Sequence, residues 1–170
     1  MAKVFVSIGS NVDRERHIAL ALELLGERFG RLELSNTYES AAVGFDGDPF
    51  FNLVVAFDCD AEPCQIVAIL REVERRCGRD RGGERYAPRT MDLDLLLVGD
   101  RVMRRDGIVL PHEEISTQAF VLRPLAELAG ERRHPVSGDT LASMWSRLKR
   151  EAGPLRRVDL DAVPMVGRKA

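Results

Sequence analysis

Val4, Val6 and Ile8 share one parity at the start of the chain, against Lys3, Phe5 and Ser7, and the alternation stops at Gly9. A period of two predicts a strand that ends in a turn. The period then lengthens. Ile18, Leu22, Leu25 and Phe29 fall on one face of a helix that Asp13 can cap and Gly30 can end. "RLELSNTYES" alternates again and predicts a strand, "AAVGFDGDP" has the Gly, Asp and Pro content of a loop, and "FFNLVVAFDCD" predicts a strand antiparallel to its neighbour. A helix starting near Pro63 would bury Ile66, Ile69, Leu70, Val73 and Cys77. "GRDRGGERYAP" is a polar, Gly-rich loop, and the most hydrophobic strand follows from Thr90 to Val98. Gly99-Asp100 signals a tight turn with "RVM" as a short hairpin arm, and "GIVLPHEEIS" reads as an irregular connection ending in a short strand. Helices are predicted over Thr117 to Ala129 and Thr140 to Arg150, and residues 151–170 as a loosely docked tail.

The order β-α-β-β-α-β followed by helices predicts an α+β fold: a ferredoxin-like antiparallel sheet with helices packed on it and C-terminal helices added. No repeat or interdomain linker interrupts residues 1–170, which read as a single domain.

Composition narrows the functional classes. The net charge of -2 gives no general attraction to nucleic acid or an anionic membrane. All but three of the 25 basic residues are Arg, so a lone Arg carries little weight, while a cluster suits phosphate. Three cysteines without a Cys-x-x-Cys pair argue against disulfides and structural zinc and for a cytoplasmic setting. The N-terminal apolar run is too short for a signal peptide, and no segment approaches a membrane span. No obligatory protein partner is implied.

The strand "MDLDLLLV" contains an anomaly. Asp92 and Asp94 lie two apart and share a face, with Met91, Leu93 and Leu95 on the other. Two carboxylates so close repel each other and lose hydration, and a divalent cation removes both problems. Oxygen ligands with no His or Cys nearby in sequence point to magnesium, which commonly bridges carboxylates and substrate phosphates, and two such ions can clamp a transferring phosphoryl group. The ordinary reading of an isolated Asp-x-Asp is the polar face of a half-exposed strand. Asp159 and Asp161 in "VDLDAV" repeat the spacing without an apolar strand after them and read as surface charge.

The first pair differs in its neighbours. Arg71, Arg75, Arg76, Arg79, Arg81, Arg85 and Arg89 precede it; the first three read as solvated helix surface, and the others lie in or beside the Gly-rich loop, where they could fold over polyphosphate. Neither a Gly-x-x-x-x-Gly-Lys-Ser/Thr loop nor a Gly-x-Gly-x-x-Gly fingerprint occurs, so P-loop and Rossmann chemistry are unsupported. His112 in "LPHEE" is placed to reach a phosphate or donate a proton, whereas His17 and His134 read as surface.

The blocks "SIGSN", "YESAAVG", "DPFFNLVVAF", "RYAPRTMDLDLLLVGD", "LPHEEI" and "AFVLRPLAELA", in this order over about residues 3–130, resemble the 6-hydroxymethyl-7,8-dihydropterin pyrophosphokinase family of folate biosynthesis. That resemblance implies a ferredoxin-like fold, ATP as co-substrate, two magnesium ions, and transfer of pyrophosphate to a pterin hydroxymethyl oxygen with release of AMP. It implies that Asp92 and Asp94 hold the metals and that Arg79 and Arg89 stabilise phosphate charge, with Arg81 in the same loop. Glu74, Leu95 and His112 would serve the nucleotide, and Tyr86 stands where the family usually has Trp on the closing loop. For the pterin, Phe50 and Phe120 would sandwich the ring, Asn52 would read its amide edge, Asp92 would lie beside it, and Ser40 and Val43 would present backbone groups. Phe51 shares a face with Val55 and Phe57 and reads as core.

Gln118, Gly82, Gly107 and Val109 depart from the polar or basic residues frequent at those positions in the family, and the metal pair and flanking Arg remain. Two other readings use the same residues: a catalytically silent nucleotide- or pterin-binding module, and a metal-dependent phosphohydrolase.

Overall fold

Both faces of the first strand, β1 (Ala2–Ser10), are buried, which sets up three layers. A computed structural model describes residues 1–42, 47–79 and 91–160. Val4, Val6 and Ile8 point into a core shared with α1 (Arg14–Phe29) and α2 (Pro63–Arg76). Phe5 points the other way, into a core built with α3 (Ala119–Ala129) and α4 (Leu141–Leu148).

The remaining strands are β2 (Glu33–Leu34), β3 (Thr37–Ser40), β4 (Phe50–Cys59), β5 (Asp92–Val98), β6 (Met103–Arg105), β7 (Ile108–Leu110) and β8 (Arg156–Val158). The main sheet runs β5-β1-β4-β3-β8, with β2 also on β4, and every pairing is antiparallel. Without its β8 edge this is the ferredoxin-like order, as the element sequence predicts.

Local signals explain most boundaries. In α2, Glu62 and Gln65 form a capping box, Pro63 occupies the first turn, and Ile66, Leu70, Val73 and Cys77 bury one stripe. Its end is a Schellman motif: Gly78 takes φ 85, Gly78 N–H donates to Arg75 O at 3.0 Å, and Arg79 N–H donates to Glu74 O at 3.1 Å. That reversal turns Arg79 back toward the start of β5.

Five expectations about the elements need correction. Asp13 stands at the first cap, but it is left-handed with φ 45 and its side chain makes no capping bond. "RLELSNTYES" is two strands, because Ser35 Oγ accepts from Val54 N–H at 2.9 Å and Asn36 N–H turns out of the sheet. "RVM" does not pair with β5. Of its residues only Met103 enters a strand, β6, which pairs with β7 across Asp106 and Gly107, both at positive φ as a tight two-residue turn requires. The short strand in "GIVLPHEEIS" therefore comes first, and a 3-10 turn, Glu113–Ser116, ends it. Within the predicted tail, β8 pairs with β3, and Arg156 donates to Glu39 at 3.1 Å. Arg156 and Arg14 outweigh partial burial and hold the Glu39 carboxyl below its ordinary range.

His134 is likewise not surface: it is 7% exposed, its Nδ1 accepts from Val136 and Ser137 N–H, and burial lowers its pKa. Asp159 is exposed, as a surface charge should be, while Asp161 lies outside the described residues.

Candidate active site

Strand register builds the site. Tyr38, Asn52, Gly9 and Asp92 stand side by side across β3, β4, β1 and β5. The next row on the same face carries Val54, Ser7 and Asp94. Farther along, Ala56, Phe5 and Leu97 turn that face apolar beneath α3 and α4. The polar end is roofed by the Glu113–Ser116 turn and the start of α3. A cavity of about 180 Å³ remains, lined by Ser7, Gly9, Ser40, Phe50, Asn52, Asp92, Asp94, Glu114, Gln118 and Phe120 among others.

Asn52 is 7% exposed. Its Nδ2 donates to Ser40 Oγ at 2.8 Å, to Tyr38 O at 3.2 Å and, at the longer distance of 3.4 Å, to Phe50 O. The two carbonyls can only accept, which fixes the amide orientation. Oδ1 therefore turns toward Gly9, where an added Cβ would lie 3.5 Å from it. No described residue donates to this oxygen. A buried carbonyl in that position is satisfied by a donor from a ligand or solvent in the cavity.

The two aspartates share the cavity face, with Leu93 and Leu95 opposite, as alternation predicts. Glu74 ties α2 to β5: it is 1% exposed and accepts from Leu93 N–H at 3.1 Å, Arg71 at 2.9 Å and Arg79 at 3.3 Å. Arg79 also donates to Asp92 at 2.6 Å and to Met91 O at 3.3 Å. No described residue donates to Asp94. Burial first, and then the charges of Asp92, Glu114 and Glu74, push its carboxyl up to about 7.

Ligand atoms of Asp94, His112 and Glu114 lie within 4.8 Å of one another. The turn after β7 thus brings His112, remote in sequence, back to Asp94. His112 Nδ1 accepts from Glu114 N–H at 3.2 Å, which leaves Nε2 as the protonated nitrogen of the neutral ring. The ring thereby presents a donor suited to an anionic oxygen, and the cation-binding atoms of the cluster are the carboxylate oxygens.

Ser40, Phe50, Asn52, Asp92, Asp94 and Phe120 converge on one cavity, and Arg79 and His112 border its acidic end. Phe120 is half-buried at the cavity wall, while Phe51 is core under the guanidinium of Arg14. Two residues implied for the nucleotide do not join. Leu95 is 6% exposed and packs in the opposite core because its parity is odd to the aspartates. The Glu74 carboxylate is buried in the α2–β5 tie. Val43, Arg81, Tyr86 and Arg89 lie outside the described residues. Gly9, Ser7 and Glu114 escaped the sequence reading. Cross-strand register is the signal that exposes the first two, and the Glu114 position two residues after His112 was a signal for the third.

These features define an α+β protein of ferredoxin-like topology with an acidic, aromatic-walled pocket at one end of its sheet. Residues 5–130 match the 7,8-dihydro-6-hydroxymethylpterin-pyrophosphokinase (HPPK) family, and the chain belongs to that family. It is 39% identical over 136 residues to the 2-amino-4-hydroxy-6-hydroxymethyldihydropteridine pyrophosphokinase of Porphyromonas gingivalis, covering 76% of this chain and 92% of the relative. The protein of that name from Aquifex aeolicus is 33% identical, covering 80% and 86%. Other curated relatives are much longer: the chain spans 20% of the folic acid synthesis protein fol1 of Pneumocystis carinii, at 31% identity over 85% of this chain. A crystal structure of Plasmodium falciparum HPPK-DHPS with pterin and p-hydroxybenzoate shares the fold, with TM-score 0.69 and 13% identity over 88% of this chain and 44% of that one. Among the described residues no helix is long and apolar enough to cross a membrane.

Proposed function

We propose that the chain transfers the terminal pyrophosphate of ATP to the hydroxymethyl oxygen of 6-hydroxymethyl-7,8-dihydropterin and releases AMP, in the cytoplasm. The row Asn52–Gly9–Asp92 carries this reading. It sets an amide acceptor and a carboxylate two strand spacings apart, about 9–10 Å, with open floor between. A two-ring heterocycle laid along that floor offers its ring N–H donors to Asn52 Oδ1 and aims its side-chain hydroxyl at the aspartates. Phe50 and Phe120 would flank the ring faces.

The acidic end fits a divalent cation: Asp94 has no donor from the described residues, and three neighbouring carboxylates add to its charge burden. Asp92 and Asp94 would hold two magnesium ions, with Glu114 beside them, and the ions when bound would offset triphosphate charge. Arg79, with Arg81 and Arg89, would meet the phosphate oxygens, where charge-assisted bonds suit a transferring group. His112 would donate from Nε2. Tyr86 would lie on the segment that closes over the substrates, and Val43 would contribute backbone to the pterin edge.

Incubation with ATP, magnesium and the hydroxymethyl dihydropterin tests the proposal. AMP should form only when both the pterin and the metal are present. ATP breakdown without pterin would indicate a phosphohydrolase, and nucleotide binding without AMP would sink the enzymatic reading.

Gly9 supplies a sharper check on the floor. A Cβ there would stand 3.5 Å from Asn52 Oδ1 and 3.7 Å from Phe50 Cδ1, which is ordinary contact. Gly9→Ala is therefore expected to fold as well as the parent, or to gain about 0.5–1 kcal/mol from a stiffer unfolded chain. One methyl in the slot should still raise the pterin KM about tenfold or more. Thermal melts and pterin titrations measure the two effects, and an unchanged KM would place the ring elsewhere.

A further inference from the structure

Phe120, Arg123 and Glu127 lie at i, i+3 and i+7 on α3, so they form one stripe along the helix. Phe120 walls the cavity. One turn on, the Arg123 guanidinium lies 4.7 Å from the centroid of the Tyr38 ring and 5.6 Å from that of Trp145. A turn further, Glu127 Oε1 accepts from the Tyr38 hydroxyl, and Oε2 accepts from Asn36 N–H at 3.1 Å and Asn36 Nδ2 at 3.0 Å. The break between β2 and β3 is what turns the Asn36 N–H toward the helix.

Tyr38 faces the slot through its main chain. Its carbonyl accepts from Asn52 Nδ2 at 3.2 Å, and Ser40, the next β3 residue on that face, accepts from the same nitrogen at 2.8 Å. The amide that turns its oxygen to the ligand is thus anchored on β3, and β3 is gripped by α3. We propose that Glu127, assisted by Arg123, is a positioning residue: by clamping Tyr38 and Asn36 it fixes β3 against α3. That sets both the width of the Phe50–Phe120 slot and the aim of Asn52. The inference rests on the reading that this slot holds the pterin.

Glu127 is itself exposed and Tyr38 is 3% exposed, so changing Glu127 opens no cavity in the core. In Glu127→Gln the amide oxygen can keep only one of the two carboxylate positions and the N–H₂ must donate to the Tyr38 oxygen, so the charge-assisted bonds of the clamp become weaker neutral ones at nearly constant volume. The pterin KM is expected to rise about tenfold, equivalent to roughly 1.4 kcal/mol, with kcat and the ATP KM within about twofold. Tyr38→Phe removes only the hydroxyl and should shift the pterin KM the same way by a smaller factor. The double variant should fall short of the product of the two effects.

Steady-state AMP release with each substrate varied, beside thermal melts and direct pterin binding, reads all of this. If kcat and both KM values worsen together in Glu127→Gln as the melting temperature falls, the role is merely structural and the inference is overturned. A pterin KM within twofold of the parent's also overturns it, while the parent's activity leaves the functional reading intact. A parent protein that neither binds pterin nor releases AMP overturns both.

Discussion

Asp94→Asn is expected to abolish pyrophosphate transfer while raising the thermal stability of the metal-free protein near neutral pH. Loss of transfer follows from removing one of two carboxylates proposed to hold the metal. The gain in stability follows from the electrostatics of the site. Burial and three neighbouring acids raise this carboxyl from an ordinary value of 3.8 to about 7. The folded state then binds the proton more tightly than the unfolded one, so ionising Asp94 opposes folding. The penalty is absent below 3.8, grows as pH rises, and is complete above about 7. Asn carries no charge and escapes it. At 1.36 kcal/mol per unit the ceiling is about 4 kcal/mol, and a half-buried carboxylate should realise on the order of 1–3 kcal/mol. Melts with a chelator at pH 5 and pH 8 provide the comparison: the advantage of the variant should be larger at pH 8. Magnesium should stabilise the parent alone and narrow the difference. A variant less stable at both pH values would show that Asp94 is not the strained group.

The second large effect is expected at the other end of the row. Asn52→Ala removes the acceptor proposed to meet the pterin N–H donors and strips Ser40 Oγ and Tyr38 O of their amide donor. Sites built to read a hydrogen-bonding edge lose far more than a single methylene contact when the reader is removed. A fall in kcat/KM of about 10²–10³ is expected, with a modest cost in stability because a buried carbonyl loses its partner. Varying the pterin at saturating ATP should find most of the loss in KM. A loss confined to kcat would mean that Asn52 acts on the transferring group rather than on the ring.

Periodicity made the sheet and its helices legible because side-chain parity leaves a direct trace in a chain with two apolar cores. Asp92 and Asp94 stood out because charge interrupted an otherwise apolar run, and resemblance to a family supplied Asn52, Phe50 and Phe120. Gly9 left no such trace: its importance is that nothing projects from it between Asn52 and Asp92, and only the pairing of β1 with both neighbours shows this. His112 and Glu114 meet Asp94 through a return of the chain that no local period encodes. Leu95 packs away from the cavity for the converse reason. Adjacency to Asp94 in sequence means opposition across a strand. Ser35 hid the break between β2 and β3 because its hydroxyl takes over a main-chain bond that alternation assumes.

The irregularity in β5 sets the orientation of the acidic end. Phe5 pairs with Leu97 and Val6 with Leu95, so Leu96 is a supernumerary residue on that strand. Leu96 and Leu97 consequently both enter the α3/α4 core, while Leu95 enters the other. The three-leucine run is thus a phase adjuster: it lets a strand whose inner half is anchored by Leu97 arrive at its outer end with the aspartates on the same side. What a one-residue deletion does in this stretch then depends on where it falls. A residue lost at Leu96 restores a regular ladder and keeps both aspartates at the cavity, whereas one lost at Leu93 turns one of them into the leucine core.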